Sequence, residues 1–313
     1  VLQNNFNCET IIFGKGVGES ILMKLSNSEW MIVDSCLNDK KKPAALDYLY
    51  SVGVDPISDV KLIVISHFHN DHILGLSEII SICVNAKVVI SHALNTKEFN
   101  SYLESIIKSD PVESQVTELK KVMGSFSSLI EQHRLGRAQS DLSLYRSSAG
   151  VSVTALSPCD NDINESDVAF ANLQKIDKNT SSTPKSASII NPNNYSVVLR
   201  INRAGFNDEI LLGADLEVRN NGGWESVCEC INKPGLNVSN IFKIPHHGSD
   251  NGYHERTWKE IISANPFCIL TTYDSGKSPL PKIEMVNLYK SLSNNVFSTT
   301  TPKSSVPLKN EGI

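Results

Sequence analysis

The sequence predicts an α/β protein, a sheet core layered under helices, folded as one domain over residues 1–313. Three observations carry this. Short runs rich in Ile and Val, bounded by turn residues, alternate with stretches of helical spacing along the whole chain. The two halves share a pattern, with hairpin strands first and strand–helix units after them, as expected when helices cover a sheet. No fixed-period repeat and no linker divides the chain, and 313 residues suffice to bury a sizeable core.

In the first third the runs "ETIIFGK", "ESILMKL", "EWMIVDSC" and "VKLIVISH" predict four strands. Between the last two, "KPAALDYLYSVGV" places Ala44, Ala45, Leu46, Leu49 and Tyr50 at helical spacing, with Gly53 as a stop signal. A second helix is expected through "ILGLSEIISIC", followed by the strand "KVVIS". Residues 95–135 are polar and helical in pattern and predict a two-helix excursion joined near Asp110-Pro111, an insertion bounded at about 95–140. The strand "GVSVTAL" follows, then a long polar stretch, 159–194, read as a loop. The strands "YSVVLRI", "DEILLGAD", "NIFKIP" and "FCILTT" and helices at "WESVCECI", from His254 and at "PKIEMVNLYKSL" complete the pattern. The polar tail 301–313 is expected to fray.

Composition narrows the function classes. No apolar stretch approaches the roughly 20 residues needed to span a bilayer, so no membrane partner is expected. The amino terminus lacks the basic, apolar and small-residue zones of a signal peptide. Seven cysteines without framework spacing suit a reducing, cytoplasmic setting. The net charge of −5 argues against adhesion to nucleic acid through bulk charge, leaving room for a local positive site or a bound metal that attracts phosphate.

The chemistry concentrates in "HFHNDH", His67 to His72, which holds three of the eight histidines at the mouth of an apolar strand. His67 and His69 are two positions apart, so an extended backbone points both to one side. Asp71 and His72 follow directly. Imidazole and carboxylate ligands so spaced suit a borderline-soft divalent cation.

The string matches the H-x-H-x-D-H signature and resembles the metallo-β-lactamase-fold hydrolases, from about Gly14 to about Thr272. That resemblance implies a four-layer αββα sandwich with the helical insertion set into it. It implies metal ligands at His67, His69, Asp71, His72, Asp215 in "EILLGAD" and His247 in "FKIPHHGS". Asp34 in "MIVDSC" would support the ligand loops by hydrogen bonding. The histidine that many members carry between the first motif and the bridging aspartate is missing. His92 comes too soon and His133 sits in a helical pattern, while "VTALSPCDND" offers only Ser157, Cys159 and Asp160. The combination of a missing middle histidine with "HHGS" after a lysine-bearing strand is similar to the metallo-β-lactamase domain of the DNA-uptake channels of natural competence. It is also similar to phosphorylcholine esterases. Those competence domains usually have Asp where this chain has His69.

Two Zn²⁺ ions are what the resemblance implies, with the first position weakened by the missing imidazole and Mn²⁺ as the alternative. Asp215 would bridge them, and Asp71 would orient a hydroxide made nucleophilic by the cations. His246 would donate to a phosphate oxygen or leaving group, or else make a supporting hydrogen bond. Lys243 would neutralise phosphate charge or face solvent; Ser249 would touch substrate or cap a helix. His254 is read as structural. The glycines of "GKGVGES" meet neither a dinucleotide nor a P-loop pattern and predict a tight strand connection.

The expected activity is phosphodiester hydrolysis, by a nuclease of DNA or RNA or by a nucleotide phosphodiesterase. Hydrolysis of a β-lactam or thioester, or an inactive regulatory subunit, are the alternatives. The helical excursion would serve as a homodimer or partner contact, or, with the loop 159–194, set substrate choice.

Overall fold

The computed structural model describes residues 8–94, 114–179, 191–203, 205–206, 208–231, 238–274 and 279–302. One sheet runs in the order β1 (Glu9–Phe13), β2 (Ser20–Ser26), β3 (Glu29–Val33), β4 (Val60–Ile65), β5 (Lys87–Ser91), β6 (Leu135–Ala138). Its first three strands form an antiparallel meander, and β3 to β6 run parallel. The second sheet comprises β7 (Leu142–Arg146), β8 (Val151–Ala155), β9 (Leu199–Arg203), β10 (Glu209–Leu212), β13 (Ser239–Lys243), β14 (Ile262–Leu270) and β15 (Asn295–Ser298). Its order is β15-β14-β13-β10-β9-β8-β7, and the strands from β10 to β15 are parallel neighbours. A ribbon of β11 (Val218–Arg219) and β12 (Gly222–Gly223) stands apart.

Strand β4 shows why the layers form. Its sequence VKLIVI is apolar on both faces, as a parallel strand covered on both sides requires. Leu62 and Val64 point into the core between the sheets, where Met23, Met31 and Val89 meet Val153, Leu199 and Ile210. Ile63 and Ile65 point outward, against Leu46 and Leu49 of helix α1 (Ala44–Ser51) and Ile79 of α4 (Leu76–Ile82). Short helices α2 (Pro56–Asp59) and α3 (Asn70–Ile73) flank β4. On the far side, Leu211, Phe242 and Leu270 of the second sheet lie under Trp224 and Val227 of α7 (Trp224–Ile231) and under Val286 and Tyr289 of α8 (Ile283–Leu292). The order of layers is therefore helix, sheet, sheet, helix.

Residues 95–113, which carry the first helix of the expected excursion, lie outside the described residues, as do 180–190 and 303–313. The second half of the excursion is helix α5 (Ser114–Glu131), and it lies on the first sheet. Val122, Phe126 and Leu129 are buried in the same cluster as Ile79 and Ile80. His133 falls after this helix, in a left-handed turn, and not inside it. Strands β6, β7 and β15 carry no run long or apolar enough to announce them.

The stretch expected as a loop over 159–194 corrects to helix α6 (Asp160–Asn179) and a short turn at Pro192–Tyr195. Among the described side chains its buried positions, Asp162, Ser166 and Phe170, recur every four residues, but two of the three are polar. Asp162 accepts from Cys159 N at 2.9 Å and Gly223 N at 3.1 Å and pairs with Arg219, and Ser166 donates to Ala93 O at 2.5 Å. A helix anchored through hydrogen bonds shows no apolar stripe. Among the described residues no helix is long and apolar enough to cross a membrane. All seven cysteines are free thiols.

Candidate metal centre

The strands deliver their polar side chains at one end of the sandwich, where parallel α/β sheets place ligand sites. Asp34 follows β3 and His67 follows β4. His69 caps α3, whose first turn carries Asp71 and His72. Asp215 follows β10 and His247 follows β13. Two of these positions, Asp34 (φ 57°) and His247 (50°), and the chain neighbours Ala214 (45°) and His246 (48°) sit on backbone with positive φ. Non-glycine residues in that region cost of order 1–3 kcal/mol each and collect at functional sites. Gly18 (φ 98°) allows the "GKGVGES" connection between β1 and β2 to lie against the histidine motif. A Cβ there would meet Cys36 Cβ at 2.8 Å and Asp71 O at 3.1 Å, and the next residue, Glu19, donates its N–H to Asp71 O at 2.7 Å.

The two halves of the chain meet around Asp215. Its Oδ1 is 3.3 Å from His72 Nε2, and its Oδ2 is 4.0 Å from His67 Nε2 and 3.7 Å from His247 Nε2. Asp71 Oδ2 lies 3.1 Å from His247 Nε2 and 3.7 Å from His72 Nε2. The His69 ring stands 4.9 Å from that of His67, edge to face and partly exposed. Ligand atoms of Glu19, His72, Asp215 and His247 all fall within 4.8 Å of one another, as do those of Asp34, His67 and His72. Three atoms at the centre, His67 Nε2, His72 Nε2 and Asp215 Oδ1, are buried without a hydrogen-bond partner, the 3.3 Å approach between the last two being misaligned. Buried polar atoms without partners are costly unless something occupies them. A divalent cation fits this donor set of imidazoles and carboxylates.

The outer nitrogens of the rings are already committed. Asp34 is buried; its Oδ1 accepts from Ser66 N at 2.7 Å and its Oδ2 from Ser66 Oγ at 2.6 Å. The Ser66 hydroxyl therefore offers a lone pair to His67 Nδ1, 2.9 Å away, which must carry the proton. His72 Nδ1 lies 2.8 Å from the same Asp34 Oδ2 and donates to it. These tautomers follow from the hydrogen-bond network, and they leave both Nε2 atoms for a ligand. Burial pushes the His67 imidazolium well below the usual range, with His72 adding to the effect, so His67 is neutral. Burial opposes charge on His72 too, but Asp215 and then Asp71 outweigh it and hold its pKa well above the ordinary value. Burial would raise Asp215, yet His72 and His247 keep it well below the carboxylate range.

Residues 14–127 match the family model described as the Metallo-beta-lactamase superfamily. Over those residues the chain is similar to that superfamily. Its fold is the metallo-β-lactamase fold, with two main sheets between helices. Solved structures similar to it include the metallo-β-lactamase of Cronobacter sakazakii with a HARLDQ motif. That match has 13% identity, covers 74% of this chain and 76% of that one, and has a TM-score of 0.39. MEM-A1, a subclass B3 metallo-β-lactamase isolated from a soil metagenome library, is 15% identical over 78% and 79% of the chains, with a TM-score of 0.40. The hydrolase AbOPH is 14% identical over 63% and 55%, with a TM-score of 0.34. No curated protein matches the sequence.

In this metallo-β-lactamase fold the segment expected to carry a middle ligand does not reach the centre. Ser157 Oγ donates to Ser196 O at 2.6 Å and accepts from Val198 N at 2.8 Å; Asp160 accepts from Gln139 at 2.7 Å. His92 bonds Gln139 and Arg137, and His254 bonds Glu225 and Thr257, both away from the ligands.

Three predicted roles need correction. Lys243 faces neither phosphate nor solvent: it is fully buried, its Nζ 2.5 Å from Glu19 Oε2 and 3.4 Å from Ala214 O. His246 stands on the rim, but it is not free to donate. Its Nδ1 lies 2.8 Å from Asn251 Oδ1 and its Nε2 3.1 Å from Asn193 Nδ2, leaving the supporting role. Ser249 is buried and bonds Asp250 at 3.2 Å, without capping the following turn.

Glu19, Ser66 and Thr271 were missed. Ser66 abuts the motif and could have been suspected. Glu19 and Thr271 have no local signal, because Glu19 meets Lys243 and Thr271 from the other sheet, more than 200 residues away, and Thr271 reaches His247 from the neighbouring strand: Thr271 Oγ1 donates to Glu19 Oε2 at 2.5 Å and lies 3.1 Å from His247 Nδ1.

Proposed function

We propose that this metallo-β-lactamase-fold protein is a metal-dependent hydrolase of phosphodiester bonds, a nuclease or nucleotide phosphodiesterase. The observation that carries the reading is the ligand nest itself: buried, orphaned nitrogens and a carboxylate oxygen facing one another, with no histidine at the middle position. A site short of one imidazole leans on carboxylates, which brings the harder Mn²⁺ into competition with borderline-soft Zn²⁺ and suits oxygen-rich substrates. The competence-type pattern "HHGS" after a lysine-bearing strand supports the same substrate class.

His67, His69, Asp71, His72, Asp215 and His247 would hold the cations, which supply Lewis acidity and a water of lowered pKa. The chain's own contributions are then separable. Asp34 and Ser66 keep His67 and His72 in the tautomers that present Nε2. Asp71, partly exposed on the first turn of α3, is the carboxylate placed to accept a proton from an attacking water. His246 and Asn193 shape the rim through their mutual bond, and the tilted Tyr273 ring, 5.3 Å from that of His247, borders the opening.

A matrix of cation and substrate tests this. Protein loaded with Zn²⁺ or Mn²⁺ is assayed on single- and double-stranded DNA, RNA and bis(p-nitrophenyl) phosphate, against nitrocefin and an acyl thioester. Turnover of phosphodiesters, lost in Asp71→Ala and His247→Ala while both stay folded, is expected. A cation-loaded protein that turns over none of the phosphodiesters overturns the proposal, and turnover of nitrocefin or thioester alone assigns carbonyl chemistry instead.

A further inference from the structure

Glu19 stands at the head of β2, in the first sheet, and is almost fully buried. Both groups that hold its Oε2 come from the second sheet: Lys243, the last residue of β13, and Thr271, just after β14. Among the described residues, no other buried lysine or arginine pairs with a carboxylate across the two sheets. The contact therefore sits where Asp71, from one half of the chain, meets His247, from the other.

The direction of the hydrogen bonds matters more than their number. A threonine hydroxyl has one proton, and Thr271 gives it to Glu19 at 2.5 Å. Toward His247 Nδ1, at 3.1 Å, the hydroxyl can then only accept. His247 is thereby held with a proton on Nδ1, and Nε2 remains the atom facing Asp71 and Asp215. If the Glu19 carboxylate were absent, the hydroxyl would be free to turn its proton to Nδ1, which would put the ring's own proton on Nε2. Lys243 pairs with the buried carboxylate and cancels its charge, so the negative charge of the nest rests on Asp34, Asp71 and Asp215.

We infer that Glu19, neutralised by Lys243, is a positioning residue for divalent-cation binding, acting through Thr271 to fix the tautomer and place of His247. Asp34 and Ser66 do the equivalent for His67 and His72, so ligands from both halves of the chain are oriented through a buried hydroxyl and carboxylate. The inference rests on the nest binding a cation and not on the identity of the substrate.

The test uses Thr271→Val, Thr271→Ser and the double variant Glu19→Met/Lys243→Met. The double variant replaces the ion pair by apolar side chains of similar size, a change that buried pairs often tolerate. Zn²⁺ affinity is read by competition with a chromophoric chelator, and the ring nitrogens of His247 by ¹⁵N NMR of the Zn²⁺-bound protein. Thr271→Val and the double variant are expected to lose about 10–100-fold in affinity, the range for partners that orient a metal-bound histidine. Thr271→Ser keeps the wild-type affinity and an Nδ1–H, Nε2-bound ring. Folded Thr271→Val and double-Met proteins with wild-type affinity and His247 signals overturn the inference and leave the pair a structural clamp. Wild-type protein that binds neither Zn²⁺ nor Mn²⁺ overturns the metal reading itself.

Discussion

Replacing Asp34 by Asn separates ligand orientation from folding more cleanly than removing a ligand does. Asp34 accepts three hydrogen bonds within 2.6–2.8 Å, from Ser66 N, Ser66 Oγ and His72 Nδ1, and it touches no other ligand. Asn keeps the shape, but its amide nitrogen must face either the Ser66 backbone N–H, in place of Oδ1, or both the Ser66 hydroxyl and His72 Nδ1, in place of Oδ2. Facing His72, it donates where it should accept, and the imidazole proton moves to Nε2, the atom a cation needs. Partners of this kind alter metal affinity by about 10–100-fold, or about 1.4–2.7 kcal/mol at roughly 1.36 kcal/mol per decade. The metal-free fold pays less, because burial already pushes the Asp34 carboxyl upward and a neutral amide avoids that cost. At a cation concentration near 100 Kd, binding stabilises the wild type by about 2.7 kcal/mol, and a hundredfold weaker variant by about 0.4 kcal/mol. With roughly 2 °C per kcal/mol for a chain of this size, the rise in Tm on adding Zn²⁺ shrinks by about 5 °C while the metal-free Tm stays close to wild type. Calorimetric scans with and without Zn²⁺, joined to a chelator titration, measure both quantities. An Asp34→Asn protein with the wild-type Kd and the wild-type Zn²⁺-induced shift would refute the reasoning.

Lys243→Met strands the buried Glu19 charge and is expected to cost about 3–5 kcal/mol, a fall in Tm of roughly 6–10 °C; Glu19→Met/Lys243→Met recovers most of it, and a single variant as stable as wild type contradicts the buried pair. His72 links cation binding to pH. With Asp215 and Asp71 holding its pKa well above 6.5 against burial, the metal-free protein keeps a stabilising imidazolium that is fully present below that value and fades as pH climbs through the raised one. Cation binding near neutrality must therefore displace a proton and tighten as pH rises; calorimetry in two buffers of different ionisation enthalpy that detects no proton release rules this out. Far from the centre, Glu29 is lowered from 4.5 to about 2: burial works against it, but Ser148, Ser26 and Tyr145 bond the carboxylate and win. Its stabilisation is complete above pH 4.5 and disappears as pH falls toward 2, so Glu29→Gln should flatten the urea midpoint across that window and leave it unaltered in slope above pH 5.

Most strands and helices were legible because their side chains obey a period. The VKLIVI run could only be a strand covered on both faces, and Ala44 to Tyr50 could only be a helix with one apolar face. The failures share a cause. Helix α6 is anchored by Asp162 and Ser166, whose burial depends on Arg219, Cys159, Gly223 and Ala93, and a polar anchor reads as a loop until its partners are known. Strands β6 and β15 are four residues long and take their stability from neighbours already in the sheet.

For the centre, the chain itself spelled out every side chain that local geometry could bring together: His67, His69, Asp71 and His72 share one strand end and one helical turn, so their spacing alone makes them neighbours. Asp215 and His247 could be proposed only because their strings resemble a known pattern; the register of β10 beside β13 is what carries them to the same end. The tertiary structure alone decided that Lys243 is enclosed, that Glu19 and Thr271 stand behind His247, and that Ser157, Cys159 and Asp160 turn away. Those outcomes depend on which sheet faces which and on where a hydroxyl's single proton goes, and neither quantity is encoded within a few residues of the side chain concerned.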